Sequence, residues 1–324
     1  MSGPALQPAE VAAARERLDA LRSEVSRVYI GSPRVVEHML VALLARGHVL
    51  LEGVPGVAKT TLVKAFAVGL GCSVRRIQFT PDLLPADITG TYVLSPKDGN
   101  FTLRGGPVFA NVVLADEINR APAKTQAALL EAMQERQVTI DGDRFELPAP
   151  FLVLATQNPI DLEGTYPLPE AQVDRFLVRI TVHYPAAKEE VAMLRTHGQT
   201  PPEMRRVLTG DEVQALQALT ARVHVEDDLL EYLAALAAFT RTHGQVVLGV
   251  SPRGTLGLLQ ASKAMAILQG RVYVTPDDIQ AMAPTVFAHR LVMTPEAEGD
   301  AKARDAVITE ALSRINYRRA VRAV

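Results

Sequence analysis

The sequence of 324 residues contains a single cysteine, Cys72. One cysteine excludes an internal disulfide and a metal site built from several cysteines, and it fits a reducing compartment. An excess of charge of one sign is also missing, because 34 Lys and Arg residues stand against 36 Asp and Glu residues and leave a net charge of −2. The chain therefore has no overall field that would attract nucleic acid or an anionic membrane.

Long hydrophobic runs are absent as well. The most apolar run near the start, 38–51, is interrupted by Arg46 and His48, whereas a membrane helix needs about 18 uncharged residues. The N-terminal segment mixes charged and small apolar residues and lacks the apolar region of a signal peptide. These absences predict a cytoplasmic protein without a membrane span.

What is present is globular composition, with 48% hydrophobic and 22% charged residues, in a length that suggests about two domains. In the first part of the chain, short β-rich runs alternate with helical patterns. The strands are predicted at 48–52, 74–78, 111–115, 151–156 and 178–182, and the helices at 8–28, 33–45, 59–70 and 123–135. Such alternation predicts an α/β fold with a parallel sheet covered on both faces.

Two predicted hairpins decorate this sheet, one pairing 91–94 with 101–104 and the other pairing 137–140 with 144–147. After Pro185 strand signals nearly stop, and helices are predicted at 187–197, 211–222, 226–242, 252–269 and 276–288. Thr209 and Thr275 are predicted helix caps, each with a carboxylate three residues later. We therefore expect an α/β core at 1–186 and a helical domain at 187–324.

A phosphate-binding loop is predicted where the first strand meets the next helix, the context that a Walker A motif requires. Its residues are Gly53, Val54, Pro55, Gly56, Val57, Ala58, Lys59 and Thr60, and Thr61 follows them. Backbone N–H groups and the helix N-terminus favour phosphate, Lys59 reaches the outer phosphates, and the Thr60 hydroxyl can ligate Mg²⁺. Ala58 replaces the usual glycine and narrows the backbone choices before Lys59. A Gly-rich turn with an incidental lysine is the alternative.

Two adjacent acids end a neighbouring apolar strand. Asp116 would hold the metal, usually through water, and Glu117 would orient or deprotonate the attacking water. The alternative is a surface turn after a strand. Without Glu117, one would expect nucleotide binding with little hydrolysis.

Four segments together resemble the MoxR family of AAA+ ATPases: GVPGVAKT, LADEINRAPAKTQAALLEAMQERQVTIDG, ATQNPIDLEGTYPLPEAQVDRF and SPRG. The match runs from about Tyr29 to Val292. It implies an AAA+ P-loop αβα core with a parallel sheet, a C-terminal helical lid, and a ring, usually a hexamer, with ATP between subunits. It also implies association with von Willebrand factor A domain proteins and a part in assembling metal-dependent enzymes.

The resemblance assigns roles to three further residues. Asn158 matches sensor 1, which contacts the γ-phosphate and the attacking water; otherwise it is a turn-forming residue. Arg175 matches the arginine finger given to the neighbouring subunit, unless it only pairs with Asp174. Arg253 matches sensor 2, expected to reach its own subunit's phosphates, unless it is simply an exposed arginine.

Other assignments are broader. Tyr29, Ile30 and Gly31 are candidate contacts of the adenine, and Arg120 faces either the nucleotide or the next subunit. The hairpins match the helix-2 insert, about 89–104, and the pre-sensor-1 hairpin, about 137–147, of related rings. They either move with the nucleotide and grip a partner, as through Tyr92 or Phe101, or are static.

The sequence thus predicts a chaperone-like enzyme that hydrolyses ATP, with Mg²⁺, to remodel or mature a protein partner. Three alternatives stay open: the ATPase subunit of a metal-chelatase complex, a nucleic-acid motor and a nucleotide-gated scaffold. Near-neutral charge argues against the motor. No residue identifies the partner.

Overall fold

The central feature of the fold is a parallel sheet. The computed structural model describes residues 6–53, 57, 59–96, 99–158, 165–197, 203–300, 302–315 and 317. The sheet strands are β1 (Val49–Gly53), β2 (Val74–Gln78), β5 (Val112–Asp116), β8 (Leu152–Gln157) and β9 (Val178–Val182). They form five parallel strands in the order β2-β5-β8-β1-β9. The predicted α/β fold is confirmed.

The burial of the strands agrees with their positions in the sheet. β5 is buried along its whole length, as expected for an apolar strand covered on both faces of a parallel sheet. β2 lies at one edge and carries Arg75 and Arg76, both exposed. At the other edge, β9 pairs with β1 from Val49↔Val178 to Gly53↔Val182.

Helices cover the sheet and continue beyond it. The helices of the first part are α1 (Pro8–Ser26), α2 (Pro33–Leu44), α3 (Lys59–Gly69), α4 (Pro85–Thr89), α5 (Ala123–Glu135) and α6 (Glu170–Val173). The later ones are α7 (Ala187–His197), α8 (Gly210–Ala221), α9 (Asp227–Thr242), α10 (Pro252–Leu268), α11 (Pro276–Phe287), α12 (Pro295–Glu298) and α13 (Ala303–Arg314). Thr209 and Thr275 form the predicted capping boxes of α8 and α11.

The buried apolar residues form two clusters. One lies around α5 and the two predicted hairpins. The other runs from α1, α2 and α3 into the later helices α8 to α11 without interruption. Gln217 on α8 reinforces it by donating to the carbonyl of Leu43, 2.7 Å away. The later helices are therefore packed firmly against one flank of the sheet, and the boundary near residue 186 stays a prediction.

The two hairpins form sheets of their own: β3 (Gly90–Leu94) with β4 (Phe101–Gly105), and β6 (Gln137–Ile140) with β7 (Asp143–Glu146). Lys97 and Asp98 lie outside the described residues. Asp141 and Gly142 have φ of 50° and 94°, which is the geometry of a tight hairpin turn. The Tyr92 hydroxyl donates to Asp143 at 2.7 Å and so ties one hairpin to the other.

The sequence prediction misses several short elements. Beyond residue 186 it expects few strands, but β10 (Val246–Leu248) pairs with β11 (Val292–Met293). These strands have two or three residues, too few to give an alternating pattern. Helices α4, α6, α12 and α13 are likewise not predicted. Across the described residues, we find no helix with the length and apolar character required to span a membrane.

Candidate functional site

Lys59, Asp116 and Asn158 lie together at the carboxyl edge of the sheet, the rim where the carboxyl ends of β1, β5 and β8 lie side by side. Lys59 begins α3 after β1, Asp116 ends β5, and Asn158 directly follows β8 and is buried. The carboxyl edge of a parallel sheet is the usual place for ligands in such folds. Of the loop between β1 and α3, Val54, Pro55, Gly56 and Ala58 lie outside the described residues.

Lys59 points back over the end of β1. Its Nζ donates to the carbonyl oxygen of Gly53 at 2.7 Å. Burial lowers the pKa of Lys59, while the charges of Asp116 and Glu117 act in the opposite direction, so this ammonium and the two carboxylates share one electrostatic environment. Gly53 is required by packing, because a Cβ there would lie 2.4 Å from the carbonyl oxygen of Val182.

Asp116 is held by two side chains from neighbouring strands. One carboxylate oxygen accepts from the hydroxyl of Thr156 at 2.5 Å. The other accepts from the guanidinium of Arg76 at 2.6 and 3.1 Å. The carboxylate is thus fixed from both sides, by β8 and by β2.

Glu117 adopts a left-handed backbone conformation with φ 57°, which is uncommon for a residue other than glycine. Its N–H donates to the same Thr156 hydroxyl at 2.8 Å. Its carboxylate accepts from Gln78 at 3.1 Å and pairs with Arg120 at 3.0 Å. Arg120, whose role the sequence leaves open, therefore contacts the candidate catalytic acid of its own chain.

A large cavity continues from this edge. Its volume is about 750 Å³, within the range of small-molecule sites. The predicted base contacts Tyr29, Ile30 and Gly31 line it, together with Val57 of the phosphate loop and Pro284 of α11. The cavity thus lies between the sheet and the later helices, and it connects the phosphate loop to the segment predicted to contact the base.

Arg175 lies at the amino edge of the sheet, the rim where the strands begin, opposite the carboxyl edge. It precedes β9, and the N–H of Leu177 donates to the carbonyl of His48, just before β1. Because four steps of about 3.3 Å separate Val49 from Gly53, the two ends of this ladder are about 13 Å apart. Arg175 is therefore kept away from the phosphate loop of its own chain.

Arg253 lies beside Arg175. Its guanidinium is 3.7 Å from the carboxylate of Asp174, and it lines a cavity of about 240 Å³ with Arg175. This position differs from the expectation that Arg253 reaches the phosphates of its own subunit. The reason is the packing of α10 against α2 and α8, which sets the N-terminus of α10 at the amino edge of the sheet.

The cavity shared by these two residues is strongly cationic. Its arginines are Arg46, Arg136, Arg175, Arg253 and Arg290, and Asp174 is the one carboxylate among its lining residues. Burial and the charge of Arg46 both lower the pKa of Arg136. A concave surface with this excess of positive charge is suited to an anionic group.

Three residues that matter at these sites are not found by sequence reasoning. Thr156 and Arg76 hold Asp116, and Arg290 contacts Asp174 at 2.7 Å. Thr156 could have been inferred from its position at the end of the strand next to β5. Arg290 lies 116 residues from its partner and carries no local signal.

Comparison with known proteins gives consistent matches. The family described as ATPase family associated with various cellular activities (AAA) matches residues 48–178, and the AAA lid domain matches 238–311. A solved structure, that of a candidate ATPase from Cytophaga hutchinsonii, superposes with a TM-score of 0.89 at 38% identity, covering 94% of this chain and 96% of that one.

Relatives of known name match over most of their length. Chaperone MoxR1 of Mycobacterium tuberculosis is 48% identical over 301 residues, 90% of this chain and 80% of that protein. Protein MoxR of Methylorubrum extorquens is 33% identical over 311 residues, 88% of this chain and 90% of that protein. The uncharacterised protein YeaC of Bacillus subtilis is 46% identical, covering 90% of this chain and 92% of that protein.

Proposed function

Because the chain belongs to the MoxR family of AAA+ ATPases, we propose that it hydrolyses ATP at the interface between two copies of itself. One copy supplies the carboxyl edge of the sheet with Lys59, Asp116 and Glu117. The next copy supplies Arg175 and Arg253. Repeating this contact gives a closed ring, because a head-to-tail interface generates rings when its rotation closes.

The observation that carries this proposal is the separation of the two sites along the β1–β9 ladder. Lys59 follows the carboxyl end of β1, whereas Arg175 precedes the amino end of β9, about 13 Å away along the strands. A single copy cannot bring Arg175 to its own phosphate loop without breaking that ladder. A second copy, in contrast, can place its cationic cavity over the first copy's phosphate loop.

The residues at the carboxyl edge fit ATP and Mg²⁺. The Asp116 carboxylate and the Thr60 hydroxyl are hard oxygen ligands of the kind that Mg²⁺ prefers, and Thr61 follows in the first turn of α3. Mg²⁺, when bound, neutralises charge on the β- and γ-phosphates. The cavity that Tyr29 lines has room for the base and ribose.

The side chains then divide the chemistry. Lys59 binds the outer phosphates as a point charge. Glu117 accepts the proton of the attacking water, and Asn158 orients that water and the γ-phosphate. The partner copy's Arg175 and Arg253 stabilise the charge that spreads over the phosphate oxygens in the transition state.

Hydrolysis would drive the remodelling or maturation of a protein partner. The support is a relative, 48% identical, that carries the name chaperone. The tip of the first hairpin offers a contact surface, because Leu94 and Phe101 are exposed. A protein with a von Willebrand factor A domain is the first partner to test, and the ATP-locked Glu117→Gln protein is the bait.

The shared site is tested by mixing variants. We expect Glu117→Gln to bind ATP without turnover, and Arg175→Ala to bind ATP with hydrolysis lowered by about 10³-fold or more. When the two are mixed in equal amounts, about one quarter of the interfaces regain an intact pair of half-sites, so activity should return. Arg15→Ala, which removes an exposed arginine of α1, is the control and should hydrolyse normally.

If mixing restores no activity although both variants assemble, the two half-sites do not come from different copies. Equal turnover by the unaltered chain and by Glu117→Gln would exclude catalysis altogether. In that event the chain would be a nucleotide-gated scaffold.

A further inference from the structure

Asp174 connects the finger segment, by which we mean the residues between α6 and β9 that include Arg175, to the later helices. Although it precedes Arg175 in the sequence, its carboxylate is directed at three side chains that follow residue 250. Arg290 donates to one oxygen at 2.7 Å, and the hydroxyl of Ser251 donates to the other at 3.1 Å. Arg253 lies 3.7 Å from that second oxygen. Asp174 is thus the junction between α6–β9 and the start of α10.

Arg290 also holds the backbone of this segment. It donates to the carbonyl oxygens of Asp174 at 3.1 Å, Phe176 at 2.7 Å and Leu177 at 3.2 Å. Its side chain is only 3% exposed. A guanidinium can make this set of bonds because its N–H groups form a rigid planar fork, which an ammonium lacks. The residues on both sides of Arg175 are therefore fixed by one buried cation.

Arg175 itself is not fixed by its own side chain in the same way. Its Nε is buried without a hydrogen-bond partner among the described residues. Its position therefore depends on the backbone that carries it. Arg290 holds that backbone. Ser251, which is bonded to Asp174, directly precedes the first turn of α10, the turn that carries Arg253.

The charge of Asp174 has a second effect. Burial lowers the pKa of Arg290, the charge and hydrogen bond of Asp174 raise it, and the charge of Arg253 lowers it further. Without Asp174, the cations of the cavity would repel one another. The carboxylate therefore lies between the cations Arg253 and Arg290 and reduces their mutual repulsion.

We propose that Asp174 and Arg290 are positioning residues that join the finger segment to α10, so that Arg175 and Arg253 approach the neighbouring copy's phosphates as one rigid unit. This inference rests on the proposed function, because it assumes that these arginines act on a second copy. Asp174 and Arg290 both line the arginine-rich cavity at the amino edge of the sheet.

The test uses the full-length chain with Asp174→Asn, which keeps the shape and removes the charge. We expect kcat to fall about 10- to 100-fold, as misplacement of catalytic groups by about 1 Å does, while the KM for ATP and the binding of a fluorescent ATP analogue change less than about 2-fold. Mixing with Glu117→Gln should restore activity, because the carboxyl-edge site of Asp174→Asn is intact. Mixing with Arg175→Ala should restore nothing.

Asp278→Asn is the matched control. Asp278 is a buried carboxylate whose two oxygens each lie 2.6 Å from Arg271, so the change breaks a similar pair away from the cavity. We expect it to lower the thermal midpoint without a selective loss of kcat. Arg290→Lys keeps the charge but loses the fork, and it should behave as Asp174→Asn does.

If Asp174→Asn and Arg290→Lys do not fold, Ser251→Gly decides the question. Glycine is nearly as good a helix cap as serine, so this change removes the bond to Asp174 with little other effect. We expect kcat to fall about 3-fold or more, the lower end of what one hydrogen bond contributes, and to recover on mixing with Glu117→Gln.

The inference is overturned if the variants that fold keep the full kcat, if they lose ATP binding together with kcat, or if mixing with Glu117→Gln does not restore activity although Arg175→Ala is restored. Failure of Arg175→Ala to recover on mixing would instead count against the proposed function.

Discussion

Replacing Thr156 with valine tests whether one hydroxyl group holds both acids of the carboxyl edge. That hydroxyl donates to Asp116 at 2.5 Å and accepts from the N–H of Glu117 at 2.8 Å. Thr156 is 1% exposed, so water cannot easily replace either bond. Valine has nearly the same shape, and the change removes the two hydrogen bonds without leaving a cavity.

The expected cost follows from these contacts. A hydrogen bond to a carboxylate contributes about 1.5 to 3 kcal/mol, and a buried N–H left without an acceptor costs about 1 to 3 kcal/mol. The added methyl group returns about 0.8 kcal/mol. The sum is about 2 to 5 kcal/mol, which lowers the thermal midpoint by about 3 to 7 °C in a protein of 324 residues.

Hydrolysis should fall further than binding. The left-handed conformation of Glu117 is held by the bond to Thr156, and its loss lets the carboxylate move. We expect kcat to fall about 10- to 100-fold, while ATP binding changes little because Lys59 is untouched. Thr156→Ser keeps the hydroxyl and should retain most of the rate. A Thr156→Val protein with the normal midpoint and turnover would refute this account of the site.

Two further predictions concern charge. Arg76→Gln frees one oxygen of Asp116 from its guanidinium, so half-maximal hydrolysis should need less Mg²⁺; an unchanged or higher requirement in a Mg²⁺ titration contradicts this. Burial lowers the pKa of His48 from 6.5 to about 4, so the unfolded chain binds more protons between these values and stability falls as the pH drops through them. The loss for this group is about 2 kcal/mol between pH 7 and pH 5. In urea unfolding, the His48→Asn protein should therefore lose about 2 kcal/mol less stability than the unaltered protein between pH 7 and pH 5. An equal loss of stability in both proteins would show that His48 does not titrate as stated.

The carboxyl-edge residues could be predicted from the sequence because each is tied to the end of a strand. Lys59 and Asp116 follow or end buried strands, and parallel strands bring their carboxyl ends together whatever their order. The hairpins are predicted for a similar reason, since the Asp141-Gly142 turn specifies its own conformation.

The amino-edge cavity could not be predicted in this way. Arg253 lies at the start of α10, and the local SPRG motif indicates that start. The direction of α10, however, depends on how this helix packs against α2, and no local pattern encodes that packing. Arg290 reaches Asp174 across 116 residues of sequence, and a lone arginine after a helix resembles any other. Short strands such as β10 pair only because the packed helices bring them together.

The arginine-lined cavity also bears on which encounters between copies are productive. Two copies that meet with these cavities facing each other bring like charges together, which costs free energy. In the proposed assembly, a copy that meets the carboxyl edge of another would instead place this cavity over the phosphates of the nucleotide bound there. In the proposed assembly, the charge of this cavity would therefore disfavour symmetric pairs of copies and, once nucleotide is bound, favour the head-to-tail orientation. Since salt screens such guidance, the rate of assembly should depend on ionic strength and on the nucleotide that is bound.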